Sequence, residues 1–346
     1  MTTPDQLESE TNPIDPNIGT MSNEKEIVST ERPEGSMHAD VLNVVRGFCM
    51  GAADTVPGVS GGTVALILGH YQRLVAAISQ IDTNAFKLVL GRRWAEAWGH
   101  LDARFLVAIG LGVGTGLVTL AGVMHWLLDE HLPQTFAVFF GLILASIVIV
   151  GRAISQWKPV CWVGCVLGVI VAFAIGTLTP TVANDYSLPY LFVASSVAIC
   201  AMILPGISGA FVLLLFGVYH PVTGMIKGAV KGEIDLQVIV QLGTVACGCL
   251  FGLLAFTRLL RWLLANHRDV TMASLIGLMI GSCAKLWPLQ VATDATKELK
   301  MKERVMEYVS PADFSGSLVL LVLLAVGAAV AVLALERVAS SLGEAK

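Results

Sequence analysis

Two short runs carry the residue types that could do chemistry. The first is Val56-Pro57-Gly58-Val59-Ser60-Gly61-Gly62-Thr63, and the second is Leu204-Pro205-Gly206-Ile207-Ser208-Gly209-Ala210, 148 positions further on. Both sit inside apolar stretches. Proline lacks the N–H that a helix interior needs, and glycine costs about 1 kcal/mol there against alanine. Each run therefore reads as a break between two half-helices, with flanks over Val44 to Ala53 and Val64 to Ile81 in the first copy. Irregular backbone at membrane depth is tolerated where protein buries it or a watery cavity solvates it. Ser60 and Ser208 each open a half-helix whose N-terminus offers unpaired N–H groups and partial positive charge, an arrangement suited to anions and phosphate above all. Glycines at 61, 62 and 209 let a ligand approach that backbone. Close helix packing is the competing explanation for small residues; it covers Gly110, Gly112, Gly114 and Gly116 better than it covers a duplicated Pro-Gly-x-Ser-Gly.

Other chemistry is weaker. Gly58-Val59-Ser60-Gly61 and Gly206-Ile207-Ser208-Gly209 also read as G-x-S-G, the nucleophile motif of intramembrane serine proteases. A serine nucleophile needs a histidine within hydrogen-bond reach, and His70, His100, His125, His131, His220 and His267 fall at expected span ends or in loops. The chain is therefore expected not to be an enzyme. Asp54 is the one acidic residue expected inside the first apolar hairpin; its place suggests function, with helix capping the equal alternative. Met202 holds the equivalent position in the second copy, so any proton or cation coupling through Asp54 would be one-sided. Arg46 and Arg73 flank the first hairpin and reach either a phosphate or, by snorkelling, the lipid headgroups. Seven cysteines lie in or beside apolar stretches without a C-x-x-C pair, which fits small packing residues. Nothing calls for a metal or another cofactor, or for nucleic acid.

The elements that must position these residues follow from composition and repetition. Of 346 residues 55% are hydrophobic and 14% charged, with a mean hydropathy of +0.73; soluble domains are about 25% charged. Several apolar runs reach the ~20 residues that cross a bilayer. The fold expected is an all-α polytopic membrane protein. Its likeness to itself extends beyond the breaks: Gly69 pairs with Gly217, Tyr71 with Tyr219 and Ile78 with Ile226. Trp126-Leu127-Leu128 then pairs with Trp262-Leu263-Leu264, His131 with His267, and Gly141-Leu142 with Gly277-Leu278, at an offset of 136. An internal repeat with breaks in corresponding places points to a transporter binding site.

In order, residues 1–38 read as a disordered polar tail with no signal peptide, and Met21 or Met37 as alternative starts. Residues 41–180 form a first membrane repeat opened by a re-entrant hairpin at 41–80. A polar, basic linker follows (Lys87, Arg92, Arg93, Trp94, Trp98, Arg104), then spans at 104–127, 134–152 and 160–179. Residues 181–346 form the second repeat, with a hairpin at 188–230 and spans at 238–262, 270–287 and 316–336. The charged segment 288–315 reads as an amphipathic or loop insertion. Three spans after a re-entrant hairpin invert the second repeat. With the N-terminus inside, 15 of the 22 Lys and Arg fall on the cytoplasmic side, so the positive-inside rule favours both termini in the cytoplasm.

Arg46-Gly47-Phe48-Cys49-Met50-Gly51-Ala52-Ala53-Asp54-Thr55 leading into the first break, then Gly69-His70-Tyr71-Gln72-Arg73, resembles the signature of the polyprenyl-phosphate transporters, a family long filed as a domain of unknown function. Ala201-Met202-Ile203-Leu204-Pro205-Gly206-Ile207-Ser208-Gly209 resembles its second motif. The likeness covers residues 41–340. It implies a flippase returning undecaprenyl phosphate across the bacterial cytoplasmic membrane for cell-envelope synthesis, with a polyprenyl phosphate lipid as partner within the bilayer. Site residues carried over are Asp54, Pro57, Gly58, Ser60, Gly61, Gly62, Thr63, Tyr71, Arg73, Pro205, Gly206, Ser208 and Gly209. Gln72 departs from an acidic residue, leaving the partner of Arg73 open, and Ala210 from a serine. The residues alone equally accommodate a transporter of a small soluble anion.

Overall fold

The computed structural model describes residues 37–55, 60–178, 186–232, 235–293, 304, 306–314 and 316–344. The tail before Met37, and Val56 to Val59 with Pro57 and Gly58, lie outside the described residues. Contacts divide the chain into residues 1–40 and 41–346, and the helical bundle is built by the second unit.

The first hairpin comprises α1 (Met37–Asp54), α2 (Gly61–Ile67) and α3 (Tyr71–Ser79). Helices α4 (Thr83–Leu90) and α5 (Trp94–His100) lead to α6 (Ala103–Glu130), α7 (Leu132–Arg152) and α8 (Pro159–Thr177). The second hairpin comprises α9 (Leu188–Ile203), α10 (Gly209–Leu215) and α11 (Tyr219–Val230). It is followed by α12 (Leu236–Asn266), α13 (Arg268–Ser282) and α14 (Leu318–Glu344). A two-stranded antiparallel ribbon, β1 (Gln290–Ala292) and β2 (Met306–Tyr308), lies between α13 and α14. Among the described residues four helices are long and apolar enough to cross a membrane, five if the bent pair α10–α11 counts as one. The protein is an all-α polytopic membrane protein but for that ribbon.

Helix starts follow local chemistry. Pro133, Pro159 and Pro189 stand in the first turns of α7, α8 and α9, where a missing N–H costs nothing. Asp82 and Asp235 cap α4 and α12 by accepting the N–H groups of Ala85 and Val238 at 2.9 and 2.7 Å. The Ala85 N–H holds the Asp82 carboxyl below the usual carboxylate range.

Glycine grooves set the helix pairing. In α1 against α6, Gly47 and Gly51 face the backbone of Ile109 and Val113, while Gly112 and Gly116 face Val44 and Phe48. The same pattern joins α9 to α12: Gly248 faces Phe192, Gly252 faces Ser196, and the Ser196 hydroxyl donates to the Gly248 carbonyl at 2.9 Å. A side chain at these positions would hold the helices apart. The remaining pairs exchange partners. Gly141 of α7 lies against Ala325 of α14, and Gly277 and Gly281 of α13 lie against Cys165 and Val169 of α8. On α8 the inward stripe is Cys161, Gly164, Cys165, Gly168 and Ala172, at helical spacing, and the opposite face is exposed and apolar, as a lipid-facing surface is.

The joints repeat as well. Trp126 meets His131 edge to face at 5.1 Å, and Trp262 meets His267 at 5.6 Å. Thr135 and Thr271 both donate to those histidine carbonyls at 2.8 Å. After α2, the His70 N–H reaches back to the Ala65 carbonyl at 3.1 Å; after α10, Val218 reaches Leu213 at 3.0 Å. Gly69 and Gly217 supply the left-handed residue of that turn, with φ of 74° and 71°.

Three expectations change. Val64 to Ile81 is not one arm: Gly69 breaks it into α2 and α3, and the matching α10–α11 pair bends by 115°. The linker after the first hairpin is helical, because Asp82 caps α4 and Ala85 and Ala97 bury one face of α4 and of α5. The span at 270–287 is shorter, since α13 has 15 residues and spans about 22 Å of a ~30 Å hydrocarbon core.

Candidate functional site

The two breaks meet. Ser60 caps α2: its hydroxyl accepts the Gly62 N–H at 3.1 Å and donates to the Met202 carbonyl at 2.9 Å. Thr63, one turn on, accepts the Gly206 N–H at 3.0 Å, and the Tyr71 hydroxyl donates to the Ile203 carbonyl at 3.2 Å. Ser60, Thr63 and Tyr71 are 1%, 1% and 2% exposed, so side chains of the first hairpin satisfy orphan backbone groups of the second. Buried backbone groups must find such partners. Gly62 makes room for this contact, as a Cβ there would stand 2.5 Å from the Ile203 carbonyl oxygen.

The rest of the first break closes on itself. Asp54, the last residue of α1, accepts the Gly61 N–H at 2.6 Å across the undescribed segment. That is the capping role. Arg46 donates to the buried Asn43 at 3.2 Å, midway along α1. Arg73 does find an acidic partner. It holds Asp102 through two parallel bonds, at 2.8 and 3.1 Å, and lies 4.3 Å from the Phe105 ring centroid. Asp102 is presented from a left-handed residue at the head of α6, φ 46°, a conformation that composition does not signal.

The second break is built differently. Pro205 is fully buried, and Gly206 turns the chain at φ 86° with its Cα against Ser282 and the Leu278 carbonyl of α13. Gly209 packs on α9, where a Cβ would come 2.7 Å from the Ala198 carbonyl oxygen. Ser208 occupies the N-cap position of α10 but makes no capping hydrogen bond. Met202 replaces the aspartate, and among the described residues the Ser208 hydroxyl has no hydrogen-bond partner, unlike those of Ser60 and Thr63.

Sequence reasoning misses Lys285. Its ammonium lies over the Phe211 ring of α10, 2.9 Å from the centroid. The signal available is a single basic residue near the end of an apolar span. His70, expected at a span end, is 3% exposed, with Nε2 3.2 Å from the Met50 sulfur. Among the described residues no cluster of His, Cys, Asp and Glu could hold a metal ion.

A helical membrane protein whose two broken hairpins meet through side chain–to–backbone bonds belongs to the class of membrane transporters built on discontinuous helices. Residues 50–304 match the undecaprenyl phosphate translocase-like (VCA0040-like) family, and the chain belongs to that family. It is 41% identical over 244 residues to a polyprenyl-phosphate transporter of Vibrio cholerae, covering 70% of this chain and 76% of the relative. It is 32% identical over 261 residues to a polyprenyl-phosphate transporter of Staphylococcus aureus, covering 71% and 86%. No solved structure matches it. The family is one of transporters, not enzymes, as expected from the serine motifs lacking a base.

Proposed function

We propose that this protein carries a polyprenyl phosphate, undecaprenyl phosphate in the bacterial envelope, across the cytoplasmic membrane. The phosphate passes along the paired breaks and the isoprenoid tail stays in lipid. The observation that carries this reading is the pairing itself: Ser60 and Thr63 after the first break bond to Met202 and Gly206 of the second inside an apolar bundle, in a chain whose relatives are named for that lipid. Taking a phosphate through hydrocarbon costs several kcal/mol even after relaxation. Polar backbone and hydroxyls at the breaks replace its water, with Ser208 uncommitted and Ser60, Gly61 and Asp54 exchanging partners when the headgroup arrives. Arg46 belongs to the first half-site in this reading, and Pro57 and Gly58, outside the described residues, are assigned to it from the sequence signature alone.

The transporter has two inverted repeats with re-entrant hairpins and both termini in the cytoplasm. Ion pairs and hydrogen bonds between distant segments support that sidedness. Arg304 pairs with Asp129 at 3.0 Å, both assigned outside. The Arg258 guanidinium donates to the Ile81 carbonyl at 2.6 Å, and Asp269 accepts the Ser155 and Gln156 N–H groups at 3.2 Å, all assigned inside.

The test uses cells lacking other recycling transporters, with outer-leaflet undecaprenyl phosphate read by an antibiotic that binds it. Expression of this chain lowers the surface pool. A stably inserted chain that leaves the pool unchanged overturns the reading; uptake of inorganic phosphate by proteoliposomes instead identifies a small-anion transporter.

A further inference from the structure

The geometry points to Lys285 as the cation that receives the phosphomonoester anion at the second break, held in place by the β1–β2 ribbon. This rests on the reading of an anionic ligand but assigns it a residue outside both motifs.

Three observations converge. First, Lys285 is largely enclosed and has no ion-pair partner among the described residues; its ammonium lies over the face of Phe211. The cation beside the first break differs, since Arg73 is already held by Asp102. A lone ammonium in an apolar setting carries a heavy desolvation cost that a ring quadrupole offsets in part. Such a group in a membrane protein marks a ligand pathway by default.

Second, its position is tied to the break. Phe211 lies in α10, three residues after Ser208, and Gly206 packs against Ser282, three residues before Lys285. Since α13 ends at Ser282 after 15 residues, the Lys285 turn begins within the thickness of the hydrocarbon core. The amine and the uncommitted Ser208 hydroxyl therefore border the same stretch of backbone. The equivalent position in the first repeat, at the offset of 136, is Ile149, so the cation is one-sided.

Third, the turn is braced. Gln290, 5% exposed, donates its amide N–H groups to the carbonyls of Ala284, Lys285 and Trp287 at 3.3, 3.3 and 2.8 Å. Tyr308 of β2 donates to the Ala284 carbonyl at 3.1 Å. The insertion between α13 and α14 thus fixes the backbone from which Lys285 projects. Ligand sites need this kind of support.

The experiment compares wild type, Lys285→Met and Lys285→Arg, purified in nanodiscs of zwitterionic lipid, for binding of farnesyl phosphate, farnesol and inorganic phosphate. Wild type is expected to bind farnesyl phosphate and not farnesol. Lys285→Met is expected to lose about tenfold or more in farnesyl phosphate affinity, the scale of one charged hydrogen bond, with Lys285→Arg close to wild type. Because an unpaired charge is removed, Lys285→Met should melt no lower than wild type. Undiminished phosphate affinity in Lys285→Met overturns the assignment while leaving the proposed substrate intact. Lys285-dependent binding of inorganic phosphate without farnesyl phosphate binding supports the assignment and removes the lipid substrate. A lowered melting temperature in Lys285→Met together with unchanged affinity makes the lysine structural, and binding of none of the three probes by wild type removes both readings.

Discussion

The Thr63 hydroxyl accepts the Gly206 N–H at 3.0 Å, so the side chain of one break completes the backbone of the other. Thr63→Val keeps the shape and removes the acceptor. It leaves a backbone donor without a partner in a buried position, at a cost of about 1–3 kcal/mol. Thermal unfolding of the purified protein should show a clear drop for Thr63→Val and little change for Thr63→Ser. Equal melting temperatures for all three would mean that water or another group satisfies Gly206.

Asp54→Asn separates the two roles of that residue. The asparagine carbonyl can still accept the Gly61 N–H, so the chain should insert and fold. Transport should fall, because the amide can neither hold a cation by charge nor release a proton. Full complementation by Asp54→Asn in both mildly acidic and alkaline medium would leave Asp54 as a helix cap alone.

Sidedness can be read by labelling. Cysteines placed singly at 92 or 93 and at 129 to 131, in a background whose native cysteines are replaced, should react with an impermeant maleimide from opposite faces of the membrane. Reaction of both sets from the same face would contradict the inverted arrangement.

Much of this architecture is visible in the residues themselves. The breaks announce themselves by proline and glycine, and the long spans by apolar length, because both signals are local. Gly69 and Gly217 are visible as a matched pair, yet their turn is not, since a lone glycine within an apolar run is equally at home in a membrane helix. The Arg73–Asp102 fork joins residues 29 apart through a left-handed backbone, and nothing in the spacing encodes that. Lys285 escapes a reading of the sequence because its importance lies in having an aromatic face for a neighbour rather than a carboxylate, and only packing reveals that. The ribbon at 290–308 hides among charges, its strands being three residues each.

The exchange of partners between the two halves has a consequence in time. Helix α7 rests its Gly141 groove on Ala325 of α14, and α8 rests on α13. Leu318, where α14 begins, follows Arg152 by roughly 170 residues, which at 5–20 residues per second of synthesis is on the order of 10–30 s. Throughout that interval the groove of α7 sits in the bilayer filled only by lipid, and that of α8 waits roughly half as long for α13. The first half is thus seated only once α14 is made: a ribosome that stops before it leaves an inserted protein with its α7 groove open, exposed to membrane quality control.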